Sequence, residues 1–192
     1  MRLAKVLAAA GLFAAGLIWF GRDPRRVPPT GPGLLVSPAD GRVLTVEPVA
    51  SMPHWQRGPA AEPAWRIVIF LSLMDVHIQR APEAGTVALS ERQSGGHAPA
   101  VQPGAAGNAG HWLGLETAAG PLLILRTAGL LVRRVTTAVA TGQSVARGQR
   151  IGRILLGSRT EIFFPISLQP AVASGDHVRA GETIIARRVG AA

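Results

Sequence analysis

Gly142-Gln-Ser-Val145-Ala-Arg-Gly148-Gln-Arg-Ile151 and Gly175-Asp-His-Val178-Arg-Ala-Gly181-Glu-Thr-Ile184 share one pattern, G-x-x-V-x-x-G-x-x-I. In each copy the first glycine permits a tight turn and the valine packs inward. The second glycine turns the chain again before the next strand. Outward from these hairpins, the apolar residues fall in short runs at 34–36, 65–73, 122–125, 130–139 and 162–166, broken by Gly and Pro. Runs of that length favour strands over helices, so the body is expected to be mainly β. Residues 90–110 are rich in Gly, Ala, Ser and Pro and read as a long mobile loop.

Paired hairpins of this kind occur in barrel-sandwich folds similar to lipoyl domains, where two like halves close on each other. The expected fold is therefore a mainly β, barrel-sandwich (lipoyl-like) domain. An N-terminal membrane-anchoring helix precedes it. Residues 6–20 form an unbroken apolar run flanked by Arg2 and Lys5 before and by Arg22, Arg25 and Arg26 after. With Leu3 and Ala4 the run approaches the roughly 20 residues that cross a bilayer core. A cleaved signal peptide is the ordinary alternative. The run ends, however, in Trp19-Phe20 and arginines, a pairing suited to a retained interfacial anchor. The chain thus divides into an anchor (1–21), a Pro-rich linker (22–33) and a β-rich body (34–192).

The formal charge of +9 admits a nucleic-acid binder, an anionic-membrane binder or an ordinary solvated surface. The absence of tyrosine and of clustered aromatics argues against nucleic acid. Cysteine is absent, which excludes disulfides, thiol nucleophiles and Cys-ligated zinc. Lys5 is the only lysine. The body therefore has no lysine to hold pyridoxal phosphate or a carrier group. The scattered histidines show no metal-ligand spacing.

Gly157-Ser158 lies between two apolar runs, where a serine can be held on a constrained, buried turn. That setting suits attack of the Ser158 hydroxyl on the Gly157 carbonyl, given a base and a stabilised oxyanion. Ser37-Pro-Ala-Asp40-Gly41 places a carboxylate at a strand end, although an Asp-Gly turn is the ordinary reading. Asp75-Val-His77-Ile-Gln79-Arg80 brings a carboxylate, an imidazole and a guanidinium close together. Strand alternation would put Asp75, His77 and Gln79 on one face and Arg80 on the other. A satisfied core histidine is the ordinary reading of His77.

Four segments together resemble the short bacterial and archaeal branch of the phosphatidylserine decarboxylase family. They are Trp19-Phe-Gly-Arg-Asp-Pro-Arg-Arg26, Ser37-Pro-Ala-Asp-Gly41, Asp75 through Pro82, and Ala128-Gly-Leu-Leu-Val-Arg-Arg-Val135 running on to Gly157-Ser158. The resemblance spans nearly the whole chain apart from residues 90–114. It implies self-cleavage between Gly157 and Ser158 by serinolysis, giving a long N-terminal (β) chain and a short C-terminal (α) chain, residues 158–192. Ser158 would become a pyruvoyl group that holds the substrate amine as a Schiff base, with no metal and no pyridoxal phosphate. His77 would match the family histidine assigned to protonation, and Asp40 the aspartate that supports cleavage. Asp75 and Arg80 are candidate substrate-binding residues. Arg80 stands where long-form relatives carry a second histidine, and an arginine cannot act as a base near neutral pH. The lysine, glutamate and arginine of the family's loop elements are missing between Gly95 and His111.

The implied activity converts phosphatidylserine to phosphatidylethanolamine and CO2 in phospholipid biosynthesis. Its partners would be a membrane phospholipid, an anionic membrane surface and the chain's own two fragments, with homo-oligomerisation left open. The body would lie at the cytoplasmic side of the cell membrane, held peripherally or by a single anchor. A non-cleaving, non-enzymatic, membrane-tethered β module is the alternative, and an intact chain would favour it.

Overall fold

The computed structural model describes residues 11, 16, 19–55, 62–129, 134–155 and 158–188. Of the expected anchor (1–21), only Gly11, Gly16, Trp19, Phe20 and Gly21 fall among these; the first four are helical and Gly21 is in a turn. Among the described residues no helix is long and apolar enough to cross a membrane. Gly157 and residues 189–192 also lie outside them.

The body is almost entirely strand. In chain order the strands are β1 (Leu34–Val36), β2 (Gly41–Val49), β3 (Ala64–Leu71), β4 (Ile78–Arg80), β5 (Gly85–Gln93), β6 (Gly110–Thr117) and β7 (Gly120–Thr127). There follow β8 (Val135–Thr137), β9 (Ser144–Val145), β10 (Arg150–Ile154), β11 (Ser158–Pro165), β12 (Leu168–Pro170), β13 (His177–Val178) and β14 (Ile184–Arg188). An eight-stranded sheet, ordered β13-β2-β3-β11-β7-β6-β5-β9, curls into a half-barrel. Two three-stranded sheets, β4-β10-β8 and β1-β14-β12, accompany it.

The two hairpins with the shared sequence pattern sit at opposite ends of the large sheet. Their valines, Val145 and Val178, are buried. Their backbone bonds match. Gly142 donates to the Val87 carbonyl (2.8 Å) and Gly175 to that of Val43 (2.9 Å). Gly148 and Gly181 donate to Ala81 and Ser37 (2.8 Å each). The acceptors repeat as well: Pro38-Ala-Asp-Gly41-Arg-Val43 and Pro82-Glu-Ala-Gly85-Thr-Val87 occupy like places. A Cβ on Gly41 would lie 2.1 Å from the Phe70 carbonyl oxygen, and one on Gly85 2.2 Å from that of Glu116. Both positions need glycine because the next strand's backbone fills the space.

Alternation along the central strands sorts side chains to the two sheet faces. Ile162 and Phe164 of β11, Leu122 and Ile124 of β7, and Leu113 and Leu115 of β6 enter the main core. Phe163, Leu123, Leu125 and Trp112 form a second cluster on the outer face. Along the same inward rows the apolar residues give way to polar ones: His111 on β6, Arg126 on β7, and Thr160 and Ser158 on β11. All four are buried. On β6, β7 and β11 the inner face thus turns from apolar to polar, while β3 keeps Ile69 and Leu71 opposite Thr160 and Ser158.

Two expectations change. Residues 90–110 are not one long loop. β5 continues through Gln93, and the rest is pinned around Asn108, whose side chain bonds the Ala98 amide (2.7 Å) and the Ala98 and Ala128 carbonyls (2.8 and 3.0 Å). Composition alone missed this, because one buried amide supplies the order that an apolar strand otherwise would. Residues 22–33 are extended but docked on the body. Arg147 bonds the Pro29 and Gly31 carbonyls (3.0 and 2.9 Å), and Asp23 pairs with Arg80 and Arg150.

Candidate active site

Ser158 opens β11, paired with Leu71 of β3, and is fully buried. Its Oγ has no hydrogen-bond partner among the described residues. A buried hydroxyl without a partner is costly, and such orphans concentrate where chemistry occurs.

His77 lies just before β4. Its Nδ1 is 2.9 Å from the Asp75 carbonyl oxygen. A carbonyl only accepts, so Nδ1 carries the proton and Nε2 presents a lone pair. Nε2 is buried and also unpartnered. The Phe20 ring covers the imidazole at 4.3 Å between centroids. Burial pushes the His77 pKa down. The Asp75 carbonyl and charge oppose this, and Arg22 and Arg153 reinforce it. The ring is therefore neutral near pH 7 and able to accept a proton.

β11 and β4 belong to different sheets, and one side-chain bond and one backbone bond link the segments that carry these two residues. The Thr160 hydroxyl donates to Gln79 Oε1 (3.0 Å), tying β11 to β4. Ser158 lies two residues before Thr160 on β11, and His77 two residues before Gln79, just ahead of β4. The His77 carbonyl also accepts from the Ile154 amide (3.2 Å), at the end of β10 that leads to Ser158. Two orphaned atoms, a hydroxyl and an imidazole lone pair, thus belong to segments joined by these bonds. Gln79 Nε2 is a third unpartnered atom there.

The other named residues stand apart. Asp75 is not on a strand, contrary to strand alternation. It lies in the turn before β4, where its Oδ2 accepts from the Ser72 amide and hydroxyl (2.7 Å each). These bonds win because a carboxylate that caps its own turn satisfies two donors locally. Arg80 points away from His77. It donates to the Gly148 carbonyl (3.0 Å), Asp23 (3.1 Å) and the Pro24 carbonyl (3.0 Å). Asp40 accepts from the Ala180 amide (2.7 Å) and from Arg26 (2.8 Å), and Arg26 also binds Glu182 (2.6 Å). Burial raises the Asp40 pKa, while the Ala180 amide and Arg26 hold it back. Asp40 and Asp75 line one cavity of about 510 Å³ with Arg22, Arg25, Arg26 and Arg179.

Sequence reasoning missed Thr160, the role of Gln79, and the buried Arg126–His111 contact (2.8 Å). The available signal was alternation: Ser158 and Thr160 take the inward places that Ile162 and Phe164 continue. Among the described residues no group of three His, Asp or Glu side chains could hold a metal ion.

A family model described as Phosphatidylserine decarboxylase matches residues 13–186. A protein of Symbiobacterium thermophilum named phosphatidylserine decarboxylase proenzyme is 42% identical over 187 residues, covering 96% of this chain and 83% of the relative. Proteins of the same name from Gluconacetobacter diazotrophicus and Nitratidesulfovibrio vulgaris are 37% and 39% identical. The alignments cover 93% and 88% of this chain and 80% and 76% of those relatives.

Proposed function

The chain belongs to the phosphatidylserine decarboxylase family, and we propose that it is a proenzyme that cuts itself before Ser158 and then decarboxylates phosphatidylserine to phosphatidylethanolamine. The observation that carries this reading is the pair of buried, unpartnered atoms, Ser158 Oγ and His77 Nε2.

In cleavage, His77 Nε2 takes the hydroxyl proton as Oγ attacks the Gly157 carbonyl carbon. The C–O bond forms, the C–N bond breaks, and the proton passes to the Ser158 nitrogen. Loss of the Ser158 Cα proton then expels the Gly157 carboxylate from Cβ. Water replaces the nitrogen as ammonia, leaving a pyruvoyl group. Arg80 is a donor fully engaged with Asp23 and two carbonyls, so His77 acts alone as base.

The pocket suits that group. Position 158 is buried, and β11 remains clamped between β3 and β7, so the new terminus stays in place. A pyruvoyl group supplies an electrophilic carbonyl that bonds the substrate amine and accepts the electron pair freed with CO2. His77 Nε2, covered by Phe20, holds the proton returned to carbon. Asp40 acts as a positioning residue: through Arg26 it fastens the segment that seats Phe20 on His77. Asp75 positions His77 through its turn.

The finer fold assignment, a barrel-sandwich body behind an N-terminal anchor, is supported by the matched hairpin bonds and by exposed Trp19 beside exposed Leu73 and Met74. Arg22 links these by donating to the Trp19 and Met74 carbonyls. This side would face the lipid, with the body at the cytoplasmic surface.

A denaturing mass spectrum of the full-length protein from membrane-containing expression tests the cleavage. We expect residues 1–157 and a 158–192 fragment lighter by one ammonia than its hydrolytic counterpart, and an intact chain for Ser158→Ala. An intact wild-type chain would overturn the reading in favour of a non-enzymatic module.

A further inference from the structure

Arg126 is fully buried on the inner face of β7, and none of its described partners is a carboxylate. Its guanidinium donates to the Thr136 and Ile151 carbonyls (3.3 Å each), to Thr137 Oγ1 and to His111 Nδ1 (2.8 Å), while Nε has no partner. A buried cation among neutral dipoles is poorly compensated. The contact with His111 also fixes a tautomer. A guanidinium only donates, so His111 Nδ1 carries the lone pair and Nε2 carries the proton. Burial, with Arg126 and Arg92 adding, lowers the His111 pKa to about 4, so the ring stays neutral at working pH. Its Nε2–H has only long contacts, 3.3 Å to Ser90 Oγ and 3.4 Å to Thr137 Oγ1.

These donors front a cavity of about 670 Å³ between the ends of β5, β6 and β8. His111, Ser90 and Thr137 line it, the exposed Arg92 and Arg134 flank it, and no carboxylate residue is among its described lining. The Arg-rich cavity beside Asp40 differs, because there Arg26 is paired with Asp40 and Glu182. Two backbone bonds tie the walls of the cavity to segments near the cleavage site. The carbonyl of its wall residue Ala109 accepts from the Ala128 amide, one residue past Thr127, the partner of Arg159. The Arg134 carbonyl accepts from the Leu155 amide, just before Ser158.

We propose that this cavity is an oxyanion site that takes a phosphate-type group, with His111 Nε2–H, the Ser90 and Thr137 hydroxyls and the Arg92 and Arg134 guanidiniums as donors. Arg126 acts from behind, orienting His111 and supplying positive potential. With its walls tied to the segments that flank position 158, the cavity would seat the substrate's phosphodiester while the amine reaches the reactive group. That last assignment rests on the decarboxylase reading, whereas anion binding does not.

The test uses the full chain carrying Ser158→Ala, in which binding is read without turnover. Inorganic phosphate and glycerophosphoserine are titrated calorimetrically at constant ionic strength in chloride, against the same protein carrying Arg92→Ala and Arg134→Ala. These two side chains are exposed, so the fold should tolerate their loss. Saturable binding that weakens about 10-fold or more in the double variant is expected from lost charge-assisted bonds. Binding of both probes, each displacing the other, supports the headgroup seat. Binding of phosphate without glycerophosphoserine keeps the oxyanion site and assigns it to a free anion. Binding of neither probe, or binding indifferent to the double substitution, overturns the proposal. An uncut wild-type chain would remove the decarboxylase reading while leaving the outcome of the titration unaffected.

Discussion

His77 is made useful by what it lacks. A core histidine normally has both nitrogens satisfied, but here the Asp75 carbonyl occupies one, and the other, like the Ser158 hydroxyl, is buried without a partner. His77→Ala should slow self-cleavage by about 100-fold or more, the usual worth of a general base, measured as the decay of intact chain in pulse-labelled protein. The pH dependence has a definite sign. Because burial lowers the His77 pKa, the neutral base persists below the ordinary imidazole range. The cleavage rate should begin to fall only at a more acidic pH than an ordinary imidazole base would give. A decline at the pH of an ordinary imidazole or above it would mean that another group is the base.

Between strands, the same polar row carries a second titration. The folded His111 pKa is about 4, below its ordinary value of 6.5, so the unfolded state binds the proton more readily. The stability this represents is fully present above pH 6.5 and is lost as pH falls toward 4, where the loss reaches about 3 kcal/mol. His111→Asn should flatten that part of the stability–pH curve in urea titrations. The backbone is as tightly specified as this row. Gly41→Ala would drive a methyl into the Phe70 carbonyl, and a loss of about 3 kcal/mol or more is expected from such overpacking, seen as a lower urea midpoint. The sequence showed one half of this architecture, the G-x-x-V-x-x-G-x-x-I hairpins. Its complement, Pro38 to Val43 against Pro82 to Val87, is hidden in the sequence because only Pro, Gly and Val coincide. Ser158 and His77 were legible through the resemblance, whereas Thr160 and Arg126 were not. Polar residues at inward places look like surface until the fold shows what covers them. Asp75 misled for the converse reason, since a local cap can override alternation.

At the scale of the molecule, the N-terminal segment is part of the site. Arg26 bridges Asp40 and Glu182 from outside the strands, and Phe20 lies on His77. Arg26→Ala leaves Asp40 buried without its counter-ion, which should cost about 3 kcal/mol and uncover His77. Faster limited proteolysis around residues 22–33, together with slower self-cleavage, would report both effects. Normal cleavage with a freely digested segment would show that Phe20 does not matter.

β11 runs through the middle of the large sheet, paired along its length with β3 and over five positions with β7. If the bond before Ser158 is cut as proposed, that strand belongs to a separate polypeptide, which also supplies β12, β13 and β14. The mature molecule is then an obligate heterodimer whose subunit interface is its own core. Its pieces cannot exchange or part without dissolving the fold, and its melting should become dependent on concentration, as the uncut precursor's does not.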